Sequence, residues 1–163
     1  MKLSGLVSLL LGVLAAGTAI AEQNTATITV KVTVNAVPCE INNNQSIDVD
    51  FGDSIIITDV PKGTVEKAVN YTLDCAKADQ EKTLVMRISG AAADFNDTLL
   101  QTSITALGIK LKADGADFPL NTDLPLATSN SKPALVAQLV QQSGARLPTG
   151  GFTAGATMTV DYQ

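Results

Sequence analysis

Cys39 and Cys75 are the residues best equipped for covalent chemistry, and they are the chain's only cysteines. A metal or redox pair expects C-x-x-C spacing or histidine partners. These two lie 36 residues apart, and the chain contains no histidine. The same lack of histidine excludes Ser-His-Asp and Cys-His catalysis. Asp48, Asp50 and Asp53 begin like a calcium loop, but the mid-loop glycine spacing and the closing bidentate glutamate are missing. Interleaved with Ile47, Val49 and Phe51, these aspartates read instead as the solvated face of a strand. Glu66 and Glu81 have no sequence reason to form a carboxylate pair with the aspartates. Gly150, Gly151 and Gly155 match neither phosphate-binding glycine pattern. The reading is a non-enzyme, with no catalytic residue, metal or cofactor.

The elements that position the cysteines begin with an export signal. Lys2 supplies a positive start, residues 6–16 an apolar core, and Ala19-Ile20-Ala21 the small-x-small cleavage pattern. The apolar run is too short to span a bilayer, which takes ~20 residues. Residues 1–21 are therefore read as a signal peptide and residues 22–163 as the mature chain. An even cysteine count behind such a signal points to a disulfide, Cys39 to Cys75. The formal net charge is −5, and loss of Lys2 makes the remainder more acidic. Acidic balance without a basic run argues against nucleic acid and against an anionic membrane surface. With 4 Phe, 2 Tyr and no Trp, the core of a single domain must be aliphatic.

The dominant period is two. In residues 25–36, Ala26, Ile28, Val30, Val32, Val34 and Ala36 share one face, opposite threonines, Lys31 and Asn35. Strict alternation rich in β-branched types marks a strand with one buried face. Further strands are expected at residues 47–51, 69–75, 84–88, 107–111 and 134–140, the spacing of an all-β fold. Residues 91–97 give at best a short turn, and 121–133 a polar connection. The last segment places Phe152, Ala154, Ala156, Met158, Val160 and Tyr162 on one face, after Gly150.

Together these features resemble the chaperone–usher fimbrial subunits, the pilins of type 1 and P pili. That family's C-terminal motif has a glycine fourteenth from the end and a penultimate tyrosine, with alternating apolar residues between them. Gly150 and Tyr162 stand there, with Phe152, Ala154, Ala156, Met158 and Val160 between. Its N-terminal motif is an alternating extension ending at the first cysteine, matched by Ala26, Ile28, Val30, Val32 and Val34 before Pro38-Cys39. Cys75 corresponds to the second cysteine. Internal echoes are Val49-Asp50-Phe51-Gly52 and Leu107-Gly108-Ile109-Lys110-Leu111.

The resemblance implies an all-β, incomplete immunoglobulin-like β-sandwich completed by a donated strand. It divides the chain into a signal peptide (1–21), a donor-strand extension (22–37) and a pilin domain (38–163). The implied role is a structural subunit of a surface fimbria. A periplasmic chaperone first covers the groove, an outer-membrane usher secretes the subunit, and a neighbouring subunit's strand replaces the chaperone. Two features depart from the family pattern. The donor segment lacks the glycine that many members carry, and the extra N-terminal domain of a two-domain tip adhesin is not expected, which favours a rod or tip-fibrillum subunit over a receptor-binding adhesin. The competing expectations are a self-complete secreted β-sandwich module, and an adhesive subunit binding glycan through residues 121–133. Exported protein analysed by mass spectrometry without reductant should show no free thiol; two free thiols would refute the disulfide.

Overall fold

The computed structural model describes residues 38–128 and 130–163. The signal peptide (1–21) and the donor extension (22–37), with Ala26, Ile28, Val30, Val32 and Val34, lie outside the described residues.

Eleven strands are described: β1 (Glu40–Ile41), β2 (Glu66–Val69), β3 (Leu73–Asp74), β4 (Leu84–Gly90), β5 (Ala92–Ala93), β6 (Asn96–Gln101), β7 (Leu107–Ala113), β8 (Ala116–Asp117), β9 (Asp123–Leu126), β10 (Leu135–Gln141) and β11 (Ala156–Tyr162). They form a larger sheet in the order β2-β10-β7-β6-β5, with β8 beside β7, and a three-stranded sheet β11-β4-β9. A small β1-β3 pair completes the set. All pairings are antiparallel. The two larger sheets share one aliphatic core. Leu84, Met86 and Ile88 of β4, Leu126 of β9 and Val160 of β11 meet Ile109 and Leu111 of β7 and Leu135, Ala137 and Leu139 of β10. This is the incomplete immunoglobulin-like sandwich expected from the sequence.

Local chemistry sets the turns. Asp114 and Gly115 have φ of 50° and 82° and join β7 to β8 as a two-residue hairpin, the turn in which both central residues must be left-handed. Asn42, Asn43 and Asn44 also take positive φ, 47°, 51° and 58°. Asparagine tolerates that region better than other residues with a side chain. Gly90, the last residue of β4, passes so close to Leu100 that a Cβ at this position would lie 2.6 Å from Leu100 Cδ1.

Several elements differ from the sequence reading. The stretch read as one strand over residues 69–75 is split, since β2 pairs with β10 while β3 pairs with β1. The turn expected at 91–97 is a β5–β6 hairpin start, and the polar connection 121–133 contains β9. Residues 47–51 keep the expected alternation, with Ile47, Val49 and Phe51 half-buried and Asp48 and Asp50 exposed. They nevertheless form no strand ladder among the described residues.

Tyr71 ties the larger sheet to the following loop. Its buried hydroxyl donates to the Pro133 carbonyl at 2.7 Å, under the Lys132 ammonium. Burial, with Asp114 adding to it, pushes the phenol from 10.0 up to about 12. A raised folded-state pKa contributes stability below the unfolded value and loses it as pH rises through the folded one. Unfolding free energy should therefore fall between pH 10 and about pH 12. Tyr71→Phe should flatten that fall in urea titrations while lowering neutral stability by about 1–3 kcal/mol through the orphaned carbonyl.

Candidate docking groove

The disulfide fixes one wall of the site. Cys39 and Cys75 are bonded, with Sγ–Sγ 2.06 Å and Cα–Cα 4.2 Å. Buried Cys75 thereby holds the start of the segment that runs through β1, the asparagine turn and residues 46–55. Those ten residues make no backbone-to-backbone hydrogen bond among the described residues. Their apolar side chains, Ile47, Val49, Phe51 and Ile55, still pack against the core.

The opposite wall is the C-terminal segment. β11 pairs with β4 from Ala156 opposite Gly90 to Tyr162 opposite Leu84. Its other side carries no strand among the described residues. Met158, Val160 and Tyr162 turn toward the core as the alternation required, with Val160 buried. The regular strand is shorter than the sequence reading, which carried it back to Phe152. Once β4 has ended at Gly90 there is no ladder for residues 150–155. Thr153 instead bonds Ser103, its carbonyl accepting from the Ser103 amide at 2.8 Å and its amide donating to Ser103 Oγ at 3.0 Å. Gly150, at φ 127°, starts this departure. Ala154 is exposed, whereas Phe152 crosses to the other wall and meets Phe51, ring centroids 5.8 Å apart and tilted by 53°.

Between the walls lies a groove of about 1510 Å³ whose floor includes Ile88, Leu100, Ile104, Ile109, Leu111 and Leu139. Small-molecule pockets run to ~1,000 Å³. This groove exceeds that range and runs beside β11, a size that suits an extended peptide better than a small molecule. β11 and residues 46–55 border it with backbone groups that lack backbone partners among the described residues, and its lining is largely apolar.

The edges of the two larger sheets are treated unequally. β9 carries Pro125, which cannot donate to a further ladder, and Asp123 ion-paired to Arg87 at 2.7 Å. β2 is four residues long with Glu66 and Lys67, and β5 has two residues. Short, charged or proline-bearing edges resist adding a strand. β11 has seven residues, no proline and a single charge, Asp161. Among the described residues this edge has no strand paired to it.

The model of the family described as fimbrial protein matches residues 26–163. The chain belongs to the fimbrial protein family. Among curated relatives, this fimbrial subunit is 36% identical over 160 residues to the uncharacterized fimbrial-like protein YfcQ of Escherichia coli strain K12, covering 94% of the chain and 97% of the relative. It is 38% identical over 132 residues to the fimbrial-like protein YfcR of the same organism, covering 77% of the chain and 74% of the relative. Among solved structures, the P pilus adaptor subunit PapF matches at 25% identity and TM-score 0.57, over 80% of this chain and all of that one. The P pilus rod subunit PapA matches at 19% identity and TM-score 0.56, over 78% and 100%. The fold is theirs, and the chain is a structural subunit of an extracellular fimbria that assembles with other subunits.

The structure brings Gly150, Phe152, Ala154, Ala156, Met158 and Val160 to the groove together with Cys39, whereas Tyr162 packs against the core outside the groove lining. It also adds what the sequence did not mark: the floor residues, Phe51 opposite Phe152, and the anchoring of Tyr162. The Tyr162 hydroxyl accepts from the Asp79 amide at 2.8 Å, and Lys82 Nζ lies 5.1 Å from the ring centre. No sequence pattern links Asp79 to Tyr162, because the contact depends on the end of β11 pairing with the start of β4, just after the turn that holds Asp79. Tyr162→Phe should lower unfolding free energy by about 1 kcal/mol in urea titrations, the worth of one hydrogen bond. Tyr162→Asp, which places a charge against the core, should lower it further and deplete the exported protein. Unchanged stability of both variants would refute the anchoring role.

Proposed function

We propose that this fimbrial subunit polymerises by donor-strand exchange, its residues 26–34 entering the groove of a neighbouring subunit. The supporting observation is the seven-residue, proline-free edge of β11, which among the described residues has no paired strand and shares an apolar groove with residues 46–55, a segment likewise without backbone partners among them. An extended segment between the two walls would satisfy both rows of peptide groups, while alternate side chains entered the floor. Chaperone–pilin complementation is an established instance of strand addition to an open sheet edge, so the mode itself has precedent.

The proposed path follows from the same surface. After removal of residues 1–21 in the periplasm, the open groove is an aggregation hazard and requires a chaperone. The chaperone engages the strand marked by Gly150, Phe152, Ala154, Ala156, Met158, Val160 and Tyr162. At an outer-membrane usher the extension of the next subunit, residues 22–37, displaces it. The completed subunit sits in the fimbrium at the cell surface. It is non-catalytic and uses no cofactor.

The alternation in residues 26–34 supplies the attraction. Each Val or Ile side chain entering an apolar groove gains roughly 1.5–3 kcal/mol. Ile28, Val30, Val32 and Val34 together with a backbone ladder suffice for a long-lived joint. Val30→Asp combined with Val32→Asp should leave chaperone capture intact, since that uses the other end of the chain, and should block entry into surface fibres. Normal fibre incorporation of the double variant would refute strand donation. Loss of the chaperone complex as well would place the segment inside its own domain.

A further inference from the structure

We infer that the strand accepted by this groove comes from a second copy of the same chain, selected by charge on its solvent-facing side. The inference rests on the donated-strand reading above and adds the identity of the donor.

The groove carries one sign of charge. Asp48, Asp50 and Asp53 line one wall and Asp161 the other, all four exposed. No lysine or arginine is among the described lining residues. The ion pairs found among the described residues engage Lys62, Lys82, Arg87, Lys110 and Lys112 elsewhere, and none of these four aspartates takes part.

Alternation fixes where those carboxylates stand. Ile47, Val49 and Phe51 pack toward the core, which leaves Asp48 and Asp50 on the solvent side. Met158, Val160 and Tyr162 pack toward the core on β11, which leaves Asp161 on the solvent side of the other wall. A strand added to the free side of β11 lies ~4.8 Å from it, with residues 46–55 bordering the same groove. Its own outward residues therefore stand beside acidic neighbours, and diagonal neighbours at roughly 7–8 Å remain within reach of a long side chain.

The chain's own extension matches that requirement. Residues 23–38 contain one charged residue, Lys31, and the alternation puts it opposite the apolar face of Ala26, Ile28, Val30, Val32 and Val34. Lys31 is thus an outward cation near the middle of the donated segment. In a chain of net charge −5, a basic residue at that place complements the acidic walls. A donor with an outward carboxylate there is repelled, and a neutral one gains nothing, so the walls discriminate among strands with equal apolar faces.

The test follows self-assembly of the purified mature chain into SDS-resistant multimers. Wild type should form a ladder of multiples. Lys31→Glu should form it roughly threefold more slowly at low salt, the size expected of one cross-strand charge pair. That difference should shrink at about 0.5 M salt, where exposed charges are screened. Asp48→Lys combined with Asp161→Lys should slow assembly of the wild-type donor and restore that of Lys31→Glu. Ladders of equal rate for wild type and Lys31→Glu at low salt would overturn charge selection while leaving strand donation standing. Absence of a ladder, with Val30→Asp/Val32→Asp still excluded from surface fibres, would make the donor a different subunit and overturn the inference alone. Absence of a ladder with that double variant incorporated normally would remove both readings.

Discussion

Backbone hydrogen bonding at the rim of the groove constrains everything else in the molecule. Peptide groups of β11 that point away from β4 must find water or another strand, and residues 46–55 face the same demand. Leaving such a group buried without a partner costs about 1–3 kcal/mol. Among the described residues nothing pairs with this rim, and the groove beside it is lined with aliphatic side chains that favour being covered. Pro125, the charges of β2 and the brevity of β5 discourage strand addition at the other edges. One edge is left to take a partner, and specificity follows from that inequality as much as from any contact.

The groove floor is also the core. Ile109, Leu111 and Leu139 are buried members of the cluster shared by both sheets, and the same three residues line the groove. A side chain entering from a partner would pack against residues that already stabilise the domain. Occupancy and folding stability are then linked, because anything that binds only the folded state stabilises it. The Phe51–Phe152 contact joins the two walls at one end, where β11 has left its ladder.

Much of this was legible in the sequence where a single face is buried. The alternation of Met158, Val160 and Tyr162 and that of Ile47, Val49 and Phe51 both survive in the structure, because a period of two reports burial without needing to know the partner. The disulfide was legible from the cysteine count and the export signal. What the sequence hid depends on distant partners. β9 looked like a polar connection because Asp123 and Pro125 alternate with Leu124 and Leu126, and only β4 makes them a strand. The start of β11 at Ala156 coincides with its pairing to Gly90, the end of β4 far away in the chain. Residues 47–51 read as a strand and have the side-chain pattern of one, yet hydrogen-bonding partners rather than pattern decide that assignment.

The disulfide has a mechanical meaning in a fibre joined by donated strands. Tension along such a fibre enters each subunit through the residues preceding Pro38, so the first load-bearing point in the folded domain is Cys39. The bond to Cys75 passes that load directly to the chain beside β3, and the intervening loop is bypassed. Residues 46–55, the wall without a ladder of its own, lie inside the bypassed loop. Under the proposed strand exchange, pulling would then stress the joint without peeling away the wall that would hold the incoming strand.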